Sequence, residues 1–156
     1  MKKKRIGVIL AAGLGSRLAA SASGEGGNPL VAVDGRALLL RTLTSLEQSC
    51  DRAVVVLGFA AEEIRASIEK SYQGPMALSF AMNSRYHLAN GLSVLAAQEY
   101  VQDDFLLCMA DHIMDDELLR LARDTEPPSG GAALLVDYKL ATIFDMADAT
   151  KVLATE

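Results

Sequence analysis

Three groups of residues in this 156-residue chain have the types and spacing to do chemistry together. The first is Gly13-Leu14-Gly15-Ser16-Arg17-Leu18. Glycines let backbone amides come close to a polyanion, and Arg17 adds a planar guanidinium that matches phosphate oxygens. The second is Asp111, followed by His112. A carboxylate is a hard oxygen ligand for Mg²⁺, an ion often held by one or two carboxylates plus substrate phosphates. An aspartate also commonly caps a turn, and both readings fit Asp111. His112 has no partner at metal-ligand spacing and reads as structural. The third group is Asn83-Ser84-Arg85-Tyr86 with Ala89-Asn90-Gly91-Leu92-Ser93. Amides and hydroxyls there can read the donor and acceptor pattern of a nucleobase, while Asn90 can equally serve as a helix N-cap.

Rival glycine loops fail on their own terms. No GxxxxGK[ST] string is present. The dinucleotide fingerprint needs a third glycine where Leu18 stands. It also needs an acid closing the second strand, which ends Val56-Leu57-Gly58.

The elements that must position these groups alternate strand and helix. Arg5–Leu10, Ala53–Leu57, Ala77–Met82, Phe105–Ala110 and Ala132–Asp137 read as strands. The β-branched run at 53–57 fits a strand buried on both faces. Residues 36–47 read as a helix with Leu39, Leu43 and Leu46 on one stripe, and Ala61–Tyr72 as one with Ile64, Ile68 and Tyr72 inward. Residues 90–101 read as a helix with Leu92, Leu95 and Ala96 inward, and 116–123 as a short helix capped by Asp115. This rhythm predicts an α/β fold, a three-layer α/β/α arrangement with a mostly parallel sheet and right-handed crossovers. Asp111 would then stand at a strand's carboxyl end, on the sheet edge where open α/β folds bind ligands.

Between Ala12 and Pro29 the rhythm breaks. Five of the chain's twelve glycines fall there, as expected of a functional loop. Glu126-Pro127-Pro128-Ser129-Gly130-Gly131 reads as a connector inside a single domain spanning 1–156.

Composition narrows the classes. Hydrophobic residues make up 51% of the chain, enough for a core and too many for a disordered chain. The net charge of −5 argues against a nucleic-acid partner, which calls for a positive field. Cys50 and Cys108 stand in no zinc or disulfide spacing. The basic start Lys2-Lys3-Lys4-Arg5 precedes about seven apolar residues, at the short limit of a signal core. No run approaches the roughly 20 apolar residues of a membrane span. A cytoplasmic location is expected, and sheet edges left open by a short chain could pair two copies.

In this order the groups resemble the nucleotidyltransferases that join an NTP to a phosphorylated sugar or alcohol. Their opening signature, LAAGxGxRL and then KPL, reads here Leu10-Ala11-Ala12-Gly13-Leu14-Gly15-Ser16-Arg17-Leu18, then Asn28-Pro29-Leu30. Val33-Asp34-Gly35-Arg36 and Leu39-Leu40-Arg41-Thr42 continue the likeness. Asn90-Gly91-Leu92-Ser93, Met109-Ala110-Asp111-His112 and Asp148-Ala149-Thr150-Lys151-Val152 are most similar to inositol-1-phosphate cytidylyltransferases. The resemblance implies a Rossmann-like, glycosyltransferase-A-like nucleotidyltransferase fold. It implies CTP and a small phosphorylated alcohol or sugar as substrates, with Mg²⁺ as cofactor. The acceptor phosphate would attack the α-phosphorus of CTP, and pyrophosphate would leave. Leu10, Ala11, Ala12, Gly13, Gly15, Ser16, Arg17 and Asn28 would line the phosphates. Asn83, Asn90, Gly91 and Ser93 would surround the cytosine and ribose. Asp111 would hold the metal, and Lys151 would position the acceptor phosphate, with Lys139 ranked second.

Two departures stand out. Asn28 replaces the lysine of the signature, and loss of that charge would cost roughly 10²-fold in rate. The family also runs to something over 200 residues, so the chain reads as C-terminally truncated, stopping just after a strand-like start at Val152-Leu153-Ala154. Asp137, Asp145 and Asp148 are conceivable stand-ins for a second metal-binding aspartate. The rival readings are the same chemistry on another acceptor, a sugar 1-phosphate, phosphocholine or a phosphonate, and a nucleotide-binding fragment without turnover.

Overall fold

A computed structural model describes residues 5–15, 30–143, 146–147 and 149–153. The chain divides into two compact units, Met1–Asp124 and Thr125–Glu156.

The first unit is built on a four-stranded parallel sheet. Its elements in chain order are β1 (Arg5–Ala11), a hairpin of β2 (Ala32–Val33) and β3 (Arg36–Ala37), and helix α1 (Leu38–Leu46). Then come β4 (Cys50–Leu57), α2 (Ala61–Ser71), β5 (Ala77–Met82), α3 (Gly91–Ala96), β6 (Phe105–Met109) and α4 (Asp116–Asp124). The sheet order is β5-β4-β1-β6, with every pairing parallel. Side chains alternate across a strand, so β1 feeds two cores at once. Ile9 and Ala11 join Leu39, Leu43, Leu46, Ile64, Ile68 and Leu119 on one face. Ile6, Val8, Leu10 and Ala12 join Val54, Val56, Ala81 and Ala97 on the other. Helices α1, α2 and α4 thus cover one face and α3 the other, the three layers expected. The chain moves outward from β1 to β4 to β5, then returns past β1 to β6. Crossovers of one hand put the helix of that return on the opposite face, which is where α3 lies.

The helix expected from residue 36 begins at Leu38 instead. Asp34 and Gly35 both have positive φ, 52° and 72°. That is the signature of a two-residue type I′ turn, and it folds Arg36–Ala37 back on Ala32–Val33. Arg41 clamps the hairpin by donating from Nη2 to the Val33 carbonyl at 2.6 Å. Arg36 Nη2 donates to Thr44 Oγ1 at 2.6 Å. Strand β4 starts three residues earlier than its apolar run, at Cys50, because pairing with β1 extends through Arg52 and Cys50. The helix expected over 90–101 is a short α3 followed by a 3₁₀ turn at Gln98–Tyr100. Its buried positions are Ser93 and Ala97, whereas Leu95 is 59% exposed. Small residues at i and i+4 let the short helix sit close to the sheet, and that stripe excludes Leu95. Asp115 caps α4 as expected, accepting from the Leu118 amide at 2.7 Å.

In the second unit the fifth strand expected at Ala132–Asp137 does not form. All six residues are exposed and pair with no strand among the described residues, so the apolar run has no covered face to serve. Val152 and Leu153 are likewise exposed and outside any strand, and Ala154 lies outside the described residues. The unit's local order comes from turns. The Gly131 amide donates to the Pro128 carbonyl at 2.9 Å, and Asp137 Oδ1 accepts from the Lys139 amide at 2.8 Å. No helix among the described residues is long and apolar enough to cross a membrane.

Leu43→Ala empties a fully buried site and is expected to cost about 2–5 kcal/mol in urea unfolding. Leu95→Ala is expected to cost less than about 0.5 kcal/mol. A second outcome concerns alkaline pH. Burial pushes the Cys108 thiol up to about 11. Burial, then a hydrogen bond to Glu47, pushes the Tyr72 phenol up to about 12. The unfolded chain releases these protons first, so stability is full below about pH 9 and falls as pH rises toward 11. Urea midpoints across that range check the sign.

Candidate functional site

The order of the strands places the first two chemical groups side by side. β1 and β6 are adjacent and parallel, with Leu10 opposite Met109. Just past the ladder, the Ala110 amide donates to the Leu10 carbonyl at 3.1 Å. Ala12–Gly15 and Asp111 therefore leave the sheet from neighbouring strands at its carboxyl edge. This is the switch point, where the direction of strand addition reverses and open α/β sheets bind ligands.

Asp111 sits in a turn held from both sides. The His112 amide donates to the Met109 carbonyl at 3.4 Å. The buried Thr42 hydroxyl lies 3.2 Å from the His112 carbonyl and 3.2 Å from the Leu38 carbonyl, so its single proton serves α1 and this turn. The Asp111 carboxylate remains 46% exposed, with His112 Nε2 at 3.9 Å from Oδ1 on the solvent side. No cluster of three or more His, Cys, Asp or Glu suited to a metal occurs among the described residues. A lone open carboxylate fits Mg²⁺ only where substrate phosphates supply further oxygens, which is the usual way Mg²⁺ is held.

Leu10, Ala11 and Ala12 are buried, and their side chains belong to the two cores. What they can offer a ligand is backbone. Gly13 is exposed, with open space where a side chain would stand, and Gly15 has φ 60°. Ser16, Arg17 and Asn28 lie outside the described residues, as do Asp145 and Asp148.

The third group divides in two. Asn83 and Ser93 are each 5% exposed and are spent on one another, Asn83 Nδ2 donating to Ser93 Oγ at 2.9 Å. Asn83 Oδ1 accepts from the Arg85 amide at 2.9 Å, and the Asn83 amide donates to the Leu57 carbonyl at 2.8 Å. The pair locks the exit of β5 to the start of α3. Asn90 and Gly91 are exposed instead. The Asn90 carbonyl accepts from the Ser93 amide at 2.9 Å, while its side chain makes no cap. Gly91 has open space around it. The structure thus brings Gly13, Gly15 and Asp111 to one edge. It places Asn90 and Gly91 in the segment after β5 and assigns Asn83 and Ser93 to holding that segment. Lys151 belongs to the second unit, where its ammonium donates to the Ala147 and Ala149 carbonyls at 3.2 and 3.0 Å.

Thr42 and Gly58 escaped the sequence reading. Thr42 looked like one more polar residue on a helix. Gly58 carried a usable signal, a glycine ending a buried β-branched run. Arg85, also unassigned, is an exposed cation whose guanidinium has no hydrogen-bond partner among the described residues.

Residues 7–141 match the family model of the MobA-like NTP transferase domain. Over 146 residues, the chain is 31% identical to a bifunctional IPC transferase and DIPP synthase of Archaeoglobus fulgidus. The match covers 93% of this chain and 26% of that protein. It is 34% identical over 129 residues to a CMP-5′-(3-aminopropyl)phosphonate synthase of Streptomyces rubellomurinus, covering 81% of this chain and 20% of the relative. The chain thus spans about a quarter or less of these curated relatives. Among solved structures, the inositol-1-phosphate CTP transferase from T. maritima superposes with a TM-score of 0.66 at 22% identity. It covers 76% of this chain and 48% of that one, a likeness of fold.

The Asn83–Ser93 pair gives a direct test of its holding role. Asn83→Ala strands the Ser93 hydroxyl and the Arg85 amide and is expected to cost about 1–3 kcal/mol. A double-mutant cycle with Ser93→Ala, followed by urea unfolding, is expected to show coupling of about 1 kcal/mol between the two.

Proposed function

Because this chain belongs to the MobA-like NTP transferase domain family, we propose that it transfers CMP from CTP to a polyol phosphate such as inositol 1-phosphate, releasing pyrophosphate. The observation that carries this reading is the juxtaposition at the switch point. A glycine loop and an open carboxylate leave adjacent parallel strands, joined by the Ala110–Leu10 hydrogen bond. The relatives named for IPC transferase activity support the choice of nucleotide and acceptor.

The chemistry is a displacement at phosphorus. An oxygen of the acceptor phosphate attacks the α-phosphorus of CTP, a new P–O bond forms, and the bond to the bridging oxygen of pyrophosphate breaks. All the partners are anions, so the protein's task is to neutralise charge and fix alignment. In this reading the amides of the Gly13–Gly15 loop donate to the triphosphate, and the Arg17 guanidinium pairs with its oxygens. Asn90 and Gly91 border the cytosine and ribose, while Asn83 and Ser93 hold that border in place. Asp111 holds Mg²⁺, which when bound offsets negative charge on the phosphates.

Two alternatives have specific support. The phosphonate synthase relative favours a different acceptor, such as a phosphonate. Asn28, in place of the signature lysine, favours nucleotide binding without turnover.

Pyrophosphate release with CTP, inositol 1-phosphate and Mg²⁺ decides among these. The chain is expected to release pyrophosphate, with Asp111→Ala lowering the rate at least about 10²-fold. Exchanging inositol 1-phosphate for an alkylphosphonate at fixed CTP is expected to lower the rate, and a rise would move the assignment to the phosphonate acceptor. Asn28→Lys is expected to raise kcat/KM by about tenfold or more through a restored charge-assisted contact. CTP binding with no product at long incubation would establish the non-turning reading.

A further inference from the structure

The carboxyl edge of the sheet contains a contact that leaves no room for a side chain. At Gly58, directly after β4, a built Cβ would stand 2.5 Å from Tyr86 Cβ, 2.7 Å from the Ala12 carbonyl oxygen and 2.9 Å from Tyr86 Cγ. None of these neighbours can swing aside cheaply. One is backbone, and the other is the root of a ring packed on the core face that includes Val8, Leu10 and Ala12. Two hydrogen bonds run through the same place. The Phe59 amide donates to the Ala12 carbonyl at 3.0 Å, and the Asn83 amide donates to the Leu57 carbonyl at 2.8 Å. The Phe59 ring lies against Tyr86, with centroids 6.2 Å apart and planes tilted by 57°. The segments leaving β1, β4 and β5 therefore meet at one point.

We infer that Tyr86, seated on the bare backbone of Gly58, is a positioning residue that sets where the glycine loop begins. Neither residue belongs to the loop. Ala12 is the last residue before Gly13, and its carbonyl is fixed by the Phe59 amide. That bond keeps its geometry only while residue 58 lacks a side chain and Tyr86 fills the space above it. The segment bordering the base and the loop that meets the phosphates are then one mechanical piece. The extension to nucleotide binding rests on the proposed cytidylyltransferase reading; the coupling of the segments does not.

Amide hydrogen exchange on the whole chain tests the coupling without any nucleotide. Gly58→Ala and Tyr86→Ala are expected to speed exchange over residues 11–15 and at the Phe59 amide by about tenfold or more. Tyr86→Phe keeps the ring and is expected to match the wild-type chain, because the Tyr86 hydroxyl has no hydrogen-bond partner among the described residues. Ile68→Val, on the opposite face of the sheet, supplies a control that lowers stability generally. It is expected to leave the relative exchange of residues 11–15 unchanged. CTP affinity by calorimetry is expected to fall about tenfold or more in Gly58→Ala and Tyr86→Ala and to hold in Tyr86→Phe and Ile68→Val. Unchanged exchange at residues 11–15 in both disruptive variants would overturn the inference, and altered exchange with unaltered CTP affinity would overturn its extension to nucleotide binding. Altered exchange in a protein whose wild-type form binds no CTP would uphold the coupling and sink the cytidylyltransferase reading alone. Should Gly58→Ala not fold, the comparison of Tyr86→Ala with Tyr86→Phe carries the same decision.

Discussion

Strand β1 has neither a free edge nor a free face. β4 and β6 take its two edges, and two apolar cores take its faces. Its backbone is laddered to β4 from Arg5 to Ala11 and to β6 from Ile6 to Leu10, and a buried polar group left unpaired there would be costly. Such a strand has one register available, because a slip of one residue would exchange its two apolar sets between different helices. The glycine loop inherits that fixity at its first residue. Asp111 inherits it through β6, which is registered on β1, and its turn is tied to α1 by the Thr42 hydroxyl at the His112 carbonyl. The site is precise because its supports are strand ends rather than loops.

How much of this could be read from residues follows from the range of each interaction. The continuous apolar run at 53–57 could hardly be anything but a buried strand, and the Ile64–Ile68 stripe marks its helix. The Asp34-Gly35 turn was visible as a dipeptide. Its effect on the helix start required knowing that Ala32–Val33 would accept a partner. Ala132–Asp137 shows the reverse error. Local pattern alone favours a strand there, but a strand exists only by pairing, and no partner is encoded within six residues.

The site divides along the same line. Gly13, Gly15 and Asp111 were legible because topology alone brings the ends of β1 and β6 together. Asn83 and Ser93 read in the sequence as a border for the cytosine and ribose, and in the fold they are buried against one another. They are ten residues apart, and only the close approach of α3 to the sheet lets one amide reach one hydroxyl. Gly58 was harder still, since its contribution is an empty volume, and an empty volume has no residue type. Its meaning lies in Tyr86, twenty-eight residues away.

The contact at Gly58 has an optical corollary. The chain contains no tryptophan and only four tyrosines, so its near-ultraviolet emission is dim and nearly featureless. Phe59 is 40% exposed, lies tilted against Tyr86 and carries the amide that holds Ala12. An indole placed there would be the sole bright fluorophore in the molecule, half in solvent at the hinge of three segments. Its colour and lifetime would report the state of that junction in real time, against a background the protein itself leaves dark.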